Sequence, residues 1–249
     1  MATRAAGPEL TDPGARSIRT VRLLLGCGAV AGPLFVVAFL AEGAMRPGYD
    51  PVRVPVSSLA LGTDGWMQVA NFILTGALML GYAQGLRRKE SMLPTGSRWG
   101  PRLVAVLAVG LIGAGVFVTD PVNGYMPEPV PATSVHGGLH VLFSLFVFVP
   151  LAVAGVVFGR RFGRTNERGW AVYSVATGGL VAAGLAVFWA AGSGTALEPL
   201  TGLVQRLTIA VGWGWLSALA LHLLSSMSRG RGSNGRGATS PARQQAGEP

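Results

Sequence analysis

Charge is scarce in this chain. Aspartate, glutamate, lysine and arginine make up 12% of its 249 residues, about half of the roughly 25% that a soluble domain carries. Set beside a hydrophobic share of 50%, that shortage excludes the one or two soluble domains that length alone would allow. Cysteine is almost absent too. Cys27 is the only one and lies in an apolar run, so no intrachain disulfide can form and nothing points to an oxidising compartment. Leu24-Leu25-Gly26-Cys27 looks like a lipoprotein cleavage box. The few residues between Arg22 and Cys27 fall short of the apolar core, roughly 7–15 residues, that a signal peptide needs, which excludes lipidation there. The apolar stretch from Leu23 to Ala41 is long enough to span rather than be cleaved.

What the chain has instead is long apolar segments. Six of them run over residues 23–44, 66–86, 103–119, 138–159, 170–191 and 203–224. A spanning helix needs about 17–25 residues to cross roughly 30 Å of hydrocarbon. Inside lipid each segment must satisfy its own backbone, which leaves helix as the form. The sequence therefore predicts an all-α, polytopic membrane protein, a bundle of six transmembrane helices over residues 21–225. Residues 1–20 and 226–249 are polar and lack apolar periodicity, so disordered cytoplasmic segments are expected at both ends.

Of the 20 basic residues, all but Arg46, Arg53 and Arg206 fall at the two ends or around the second-to-third and fourth-to-fifth links. Lysine and arginine stay cytoplasmic in short loops, so both termini are expected in the cytoplasm of a cell whose plasma membrane the chain crosses. The partners implied are the bilayer and, at the basic face, anionic lipids. The Arg-Gly repeats at 229–232 read as part of a solvated tail, and no nucleic-acid partner is expected. Nothing in the sequence sets an oligomeric state. Trp66, Trp99 and Trp170 stand at expected interfaces, where indole rings prefer to sit. Close packing is expected at Gly28/Gly32 and Gly155/Gly159, which have GxxxG spacing, at Gly110, Gly113 and Gly115, and along a stripe of Ala210, Gly214 and Ala218. Pro33 and Pro150 are expected to bend their helices.

Several ordered stretches carry a resemblance. They are Arg46-Pro47-Gly48-Tyr49-Asp50-Pro51-Val52-Arg53, Ser57-Ser58-Leu59-Ala60-Leu61-Gly62, Phe117-Val118-Thr119-Asp120-Pro121, His136-Gly137-Gly138-Leu139-His140, Arg168-Gly169-Trp170-Ala171-Val172-Tyr173-Ser174 and Gln205-Arg206. Together they resemble the prokaryotic membrane-protein family known as domain of unknown function 998, over about residues 20–225. The resemblance implies a six-helix membrane domain without an assigned activity.

Ionisable groups within or beside a membrane are costly and usually mark function. Here they gather at the expected outer side. Glu42 and Arg46 are spaced to pair on one helix face. Asp50, Arg53 and Asp64 follow in the first outer loop, Asp120 ends the third helix, and Glu198 and Arg206 flank the sixth. His136, His140 and Ser144 share a face of the fourth helix. A His-x-x-x-His pair can share zinc, as in metalloproteases, although Gly137 stands where that motif carries a glutamate. Asp120 is the third ligand that topology would offer. With Ser57 or Ser58 this set is loosely similar to alkaline ceramidase-like membrane hydrolases, which have seven helices and a third histidine. Haem is excluded, because His136 and His140 share one helix face and His222 lies at the opposite membrane face. Gln68, Asn71 and Thr75 on the second helix, with Gln205 and Thr208 on the sixth, are expected to line a polar pocket if their faces meet.

The leading expectation is a non-enzymatic protein with an outward polar pocket for a lipid headgroup or small solute, formed by Glu42, Arg46, Asp50, Asp64, Asn71, Asp120, His136, His140, Ser144 and Arg206, with no cofactor required. A zinc-dependent lipid hydrolase using His136, His140 and Asp120 is the alternative, and a small-solute transporter the third. Competing with all of these, the histidines can be an interfacial hydrogen-bonding cluster or a pH-sensitive site.

Overall fold

The structure is a computed structural model that describes residues 13–92, 97–127, 133–191 and 194–237. Six α-helices follow one another: α1 (Pro13–Met45), α2 (Trp66–Ser91), α3 (Trp99–Val116), α4 (Val135–Arg164), α5 (Arg168–Ala190) and α6 (Thr201–Gly237). Each is long and apolar enough to cross a membrane, and the chain is a multi-pass membrane protein. Every helix packs on its neighbours in sequence, and α1 packs on α6 to close a ring. The connections α1–α2, α3–α4 and α5–α6 emerge on one face. The basic links, the start of α1 and the end of α6 lie on the other.

Small residues set how closely the helices approach. A Cβ on Gly28 would lie 2.5 Å from the Tyr82 ring, and one on Gly85 would lie 2.9 Å from the Leu24 backbone, so α1 and α2 meet almost backbone to backbone. Gly110 does the same between α3 and α4, and Gly155 meets Gly178 where α4 crosses α5. The two GxxxG pairs therefore sit at crossings, as their spacing predicts. The stripe of Ala210, Gly214 and Ala218 does not. Ala210 and Gly214 are exposed, and a Cβ at Gly214 meets nothing within 4 Å. The packing face of α6 is set instead by Ile209, Trp213, Leu216 and Ala220, a helical repeat of large side chains that turns the small residues outward.

Aromatic side chains fill the middle of the ring. Phe35 packs against Phe39, Phe72 and Trp213, with ring centroids 5.7, 5.6 and 5.4 Å apart. Toward the basic face, the buried Glu90 of α2 pairs with Arg161 of α4 and accepts the Ser97 N–H at 2.7 Å. This ties together three successive helices. Beside it His222 stacks on Trp170 with centroids 4.3 Å apart and bonds Glu167 at 2.9 Å.

Helix extends past the expected spans at both ends, from Pro13 and to Gly237. Proline suits a helix start, where its missing N–H costs nothing. The remaining terminal residues, 1–12 and 238–249, lie outside the described residues. Helix continues through Pro33 and Pro150. α3 begins at Trp99 and stops at Val116, short of the expected residue 119, because His140 takes up carbonyls at its end and Pro121 holds the residue before it out of helical conformation.

Candidate functional site

The α1–α2 connection is a plug rather than a loose loop. Val54, Val56, Ser58, Leu59 and Ala60 are buried, so its backbone groups must find partners away from water. Arginines supply them. Arg46 donates to the Leu59 and Leu61 carbonyls at 2.8 and 3.3 Å. Arg206 of α6 donates to the Val54 carbonyl at 2.9 Å and to the Tyr49 hydroxyl. Gln205 accepts the Val56 N–H at 2.6 Å. The plug in turn caps α6, since the Arg53 and Val52 carbonyls accept the N–H groups of Gly202 and Leu203 at 3.2 and 2.8 Å. A Cβ on Gly202 would run into the Val54, Pro51 and Val52 carbonyls, which explains glycine there. Burial pushes the Tyr49 hydroxyl above its ordinary value of 10.0, against the opposing pull of Arg206.

Several expected pocket residues are spent inside this framework. Asp50 accepts the Val52 N–H at 2.9 Å and turns the loop. Asp64, largely exposed, sits 3.9 Å from Arg46. Glu42 is buried but does not pair with Arg46, whose guanidinium is drawn off by the plug carbonyls, and its Oε2 has no partner among the described residues. Asn71 donates to the Phe35 carbonyl and to Gln68 at 3.2 and 3.1 Å, so the polar row of α2 serves the α1–α2 contact. No bond joins it to Gln205 or Thr208 among the described residues.

Asp120 and the histidines also have structural partners. Asp120 accepts the Ser134 N–H and hydroxyl at 2.9 and 2.6 Å, and Ser134 caps α4 by accepting the Gly137 N–H at 3.0 Å. The Asp120 carboxylate lies so close to Gly137 that any side chain there would strike it. That contact, and not a damaged metal motif, accounts for glycine beside His136. His140 is buried, and its Nδ1 lies 3.0 and 2.8 Å from the Ala114 and Phe117 carbonyls at the end of α3. His136 is exposed, its ring 5.6 Å from that of Phe117. Among the described residues no group of three His, Cys, Asp or Glu is placed to hold a metal ion. His136, His140 and Asp120 thus do not assemble as a zinc set, because each faces a different partner.

A cavity of about 180 Å³ lies elsewhere, between α4, α5, α6 and the plug. Of the residues expected at a site, His140, Ser144, Gln205, Thr208 and Ser57 line it. Thr119 adds a further neutral polar group, while Phe148, Leu185, Phe188 and Trp189 form an apolar wall. A smaller space of about 30 Å³ shares Ser57, His140, Ser144 and Gln205 and reaches inward to Phe35 and Trp213. The buried Trp213 Nε1 has no hydrogen-bond partner there. Among the described residues no Asp, Glu, Lys or Arg lines either space. The contribution of α5 was not legible, because its wall residues look like ordinary lipid-facing positions. Gln205 and Ser57 carried a signal, lying in two of the ordered motif stretches.

The chain matches the family described as "Protein of unknown function (DUF998)" over residues 29–222. It is a member of that family. No curated protein and no solved structure matches this DUF998 chain. The matched span holds the plug, the capped α4 terminus and the whole cavity.

Proposed function

We propose that this DUF998 protein is a non-enzymatic membrane protein that holds an amphiphile in the α4–α5–α6 crevice. Its apolar chain would lie along Phe148, Leu185, Phe188 and Trp189, and an uncharged polar headgroup would meet Ser57, His140, Ser144 and Gln205. The observation that carries this reading is the lining itself: hydrogen-bonding groups at one end, an aromatic and aliphatic wall at the other, and no Asp, Glu, Lys or Arg among the described residues. Pockets built this way fix a ligand by a few polar contacts and bind it by apolar burial. A charged headgroup would be left unpaired there at large cost. The hydrolase reading lacks a three-ligand set among the described residues. The transport reading lacks, among the described residues, a helix broken at mid-membrane, where transporter sites usually sit.

The basic residues favour an orientation with both ends in the cytoplasm of a plasma membrane, the crevice toward the outer leaflet and anionic lipids at the cytoplasmic face. Membrane-impermeant maleimide on Ser91→Cys and Asp64→Cys variants, each in a Cys27→Ser background, tests it: Asp64→Cys should label in intact cells and Ser91→Cys only after lysis. For the crevice, the test is native mass spectrometry of the purified protein with a diazirine-bearing long-chain alcohol. Labelling should fall on α4 and α5 and drop severalfold in Ser144→Phe and Leu185→Trp, which fill the space. Unchanged labelling in two variants that still melt cooperatively refutes the proposal.

A further inference from the structure

A second site lies at the opposite face. A groove of about 860 Å³ runs between α2 and α3 at their basic ends. Its floor is apolar where it runs toward the membrane, with Leu80 and Ala105, and its rim carries Arg87, Arg98 and Arg102. All three arginines are exposed. Among the described residues none has a carboxylate within 4.0 Å. The acid that lines the groove, Glu90, is already consumed by Arg161 and the Ser97 N–H. The residues that complete the link, Leu93, Pro94, Thr95 and Gly96, include no acid. Trp99 stands exposed at the rim with the Arg102 guanidinium carbon 5.6 Å from its ring, the position of an interfacial anchor.

We infer that this groove binds the phosphate headgroup of an acidic phospholipid, with its acyl chain on the Leu80–Ala105 floor. A topology signal alone requires only that arginines be on this side, dispersed in water. Here three line one concavity, with no carboxylate paired to them among the described residues and with an apolar slope beneath them. Arginine forks suit phosphate oxygens in paired geometry. The inference rests on the orientation proposed above only for which leaflet supplies the lipid; the groove itself needs a bilayer and nothing more.

The experiment uses the full chain in nanodiscs of phosphatidylcholine with and without phosphatidylglycerol, followed by native mass spectrometry of retained lipid. Phosphatidylglycerol should be retained in preference to phosphatidylcholine. Retention should fall about fivefold for each of Arg98→Gln and Arg102→Gln, from roughly 1 kcal/mol per basic residue. Arg→Lys at both positions should keep most of it. Ser91→Glu, which places an anion in the groove and removes only the exposed hydroxyl's bond to the Arg88 carbonyl, should also lower it, and this keeps the test alive should the arginine variants fold poorly. Arg160→Gln with Arg164→Gln, which removes twice the charge of either single variant but outside the groove, should leave retention unchanged. An equal loss in that control pair, equal retention of the zwitterionic lipid, or displacement of lipid by inorganic phosphate alone would each overturn the inference. A failed maleimide assay would reassign the leaflet and leave this result standing.

Discussion

Arg206 lies across the face of Tyr49, its guanidinium carbon 5.3 Å from the ring centroid, while one of its N–H groups donates to the same residue's hydroxyl. Another N–H goes to the Val54 carbonyl. One side chain on α6 thus holds down a loop that begins some 150 residues earlier in the chain. Hydrogen bonds from charged groups contribute about 1.5–3 kcal/mol each. Arg206→Ala is expected to cost about 3 kcal/mol or more, read as a lowered midpoint of thermal unfolding in detergent. Arg206→Lys should lose most of the same amount, since an ammonium cannot serve both acceptors as a planar fork does. An unchanged midpoint in both variants contradicts the assignment.

Tyr49 also gives a pH dependence. Its folded-state value lies above the ordinary 10.0, chiefly because it is buried. A group raised in this way contributes stability that is complete below its unfolded value and is lost as pH rises through the folded one. The melting midpoint should therefore be insensitive to this group up to about pH 10 and decline above it. Tyr49→Phe should flatten that alkaline decline while lowering the midpoint at neutral pH.

Two glycines one residue apart on α5 should behave oppositely. A Cβ at Gly178 would lie 2.6 Å from the Ala152 carbonyl, whereas one at Gly179 meets nothing within 4 Å. Gly178→Ala is expected to destabilise by about 1–3 kcal/mol through overpacking. Gly179→Ala should be neutral or stabilise by up to about 1 kcal/mol through the helix propensity of alanine. Matched melting curves of the two variants decide the point.

The Glu90–Arg161 pair predicts a non-additive result. Breaking a buried pair from one side costs about 3–5 kcal/mol, while replacing both partners with apolar residues is close to neutral. Glu90→Leu and Arg161→Leu should each unfold earlier, and the double variant should recover much of the loss. Additive losses in a double-mutant cycle would show that the two side chains act independently.

Glu42 is buried with one carboxylate oxygen unpartnered. Leaving a polar group unsatisfied costs about 1–3 kcal/mol, so Glu42→Leu should raise the melting midpoint. It should leave labelling of the α4–α5–α6 crevice unchanged, because Glu42 does not line it. A loss of labelling would move the site toward α1.

The helices were readable from the sequence because length and hydropathy decide whether a segment can cross lipid, and both are local properties. The glycine contacts at Gly28/Gly32 and Gly155/Gly159 were readable for the same reason. What failed were inferences about charged residues. Arg46 and Glu42 have the spacing of an ion pair, but the buried carbonyls of Leu59 and Leu61 compete for the guanidinium and win. Asp120, offered by topology as a metal ligand, has both oxygens on Ser134. Arg46, Asp50, Asp120 and Arg206 satisfy backbone left bare by irregular loops, a demand that depends on how deeply the loop is buried. The α5 wall was invisible because Leu185 and Phe188 look the same whether they face lipid or a crevice.

The inward packing of the α1–α2 connection closes the end of the bundle beneath which the crevice lies. For the amphiphile proposed above, the buried Val54–Ala60 segment over the crevice would favour entry from the lipid side, past Leu185 and Phe188, over entry from water. Occupancy will then track the mole fraction of the compound among lipids, and two compounds equally abundant in water will compete according to how well each partitions into oil.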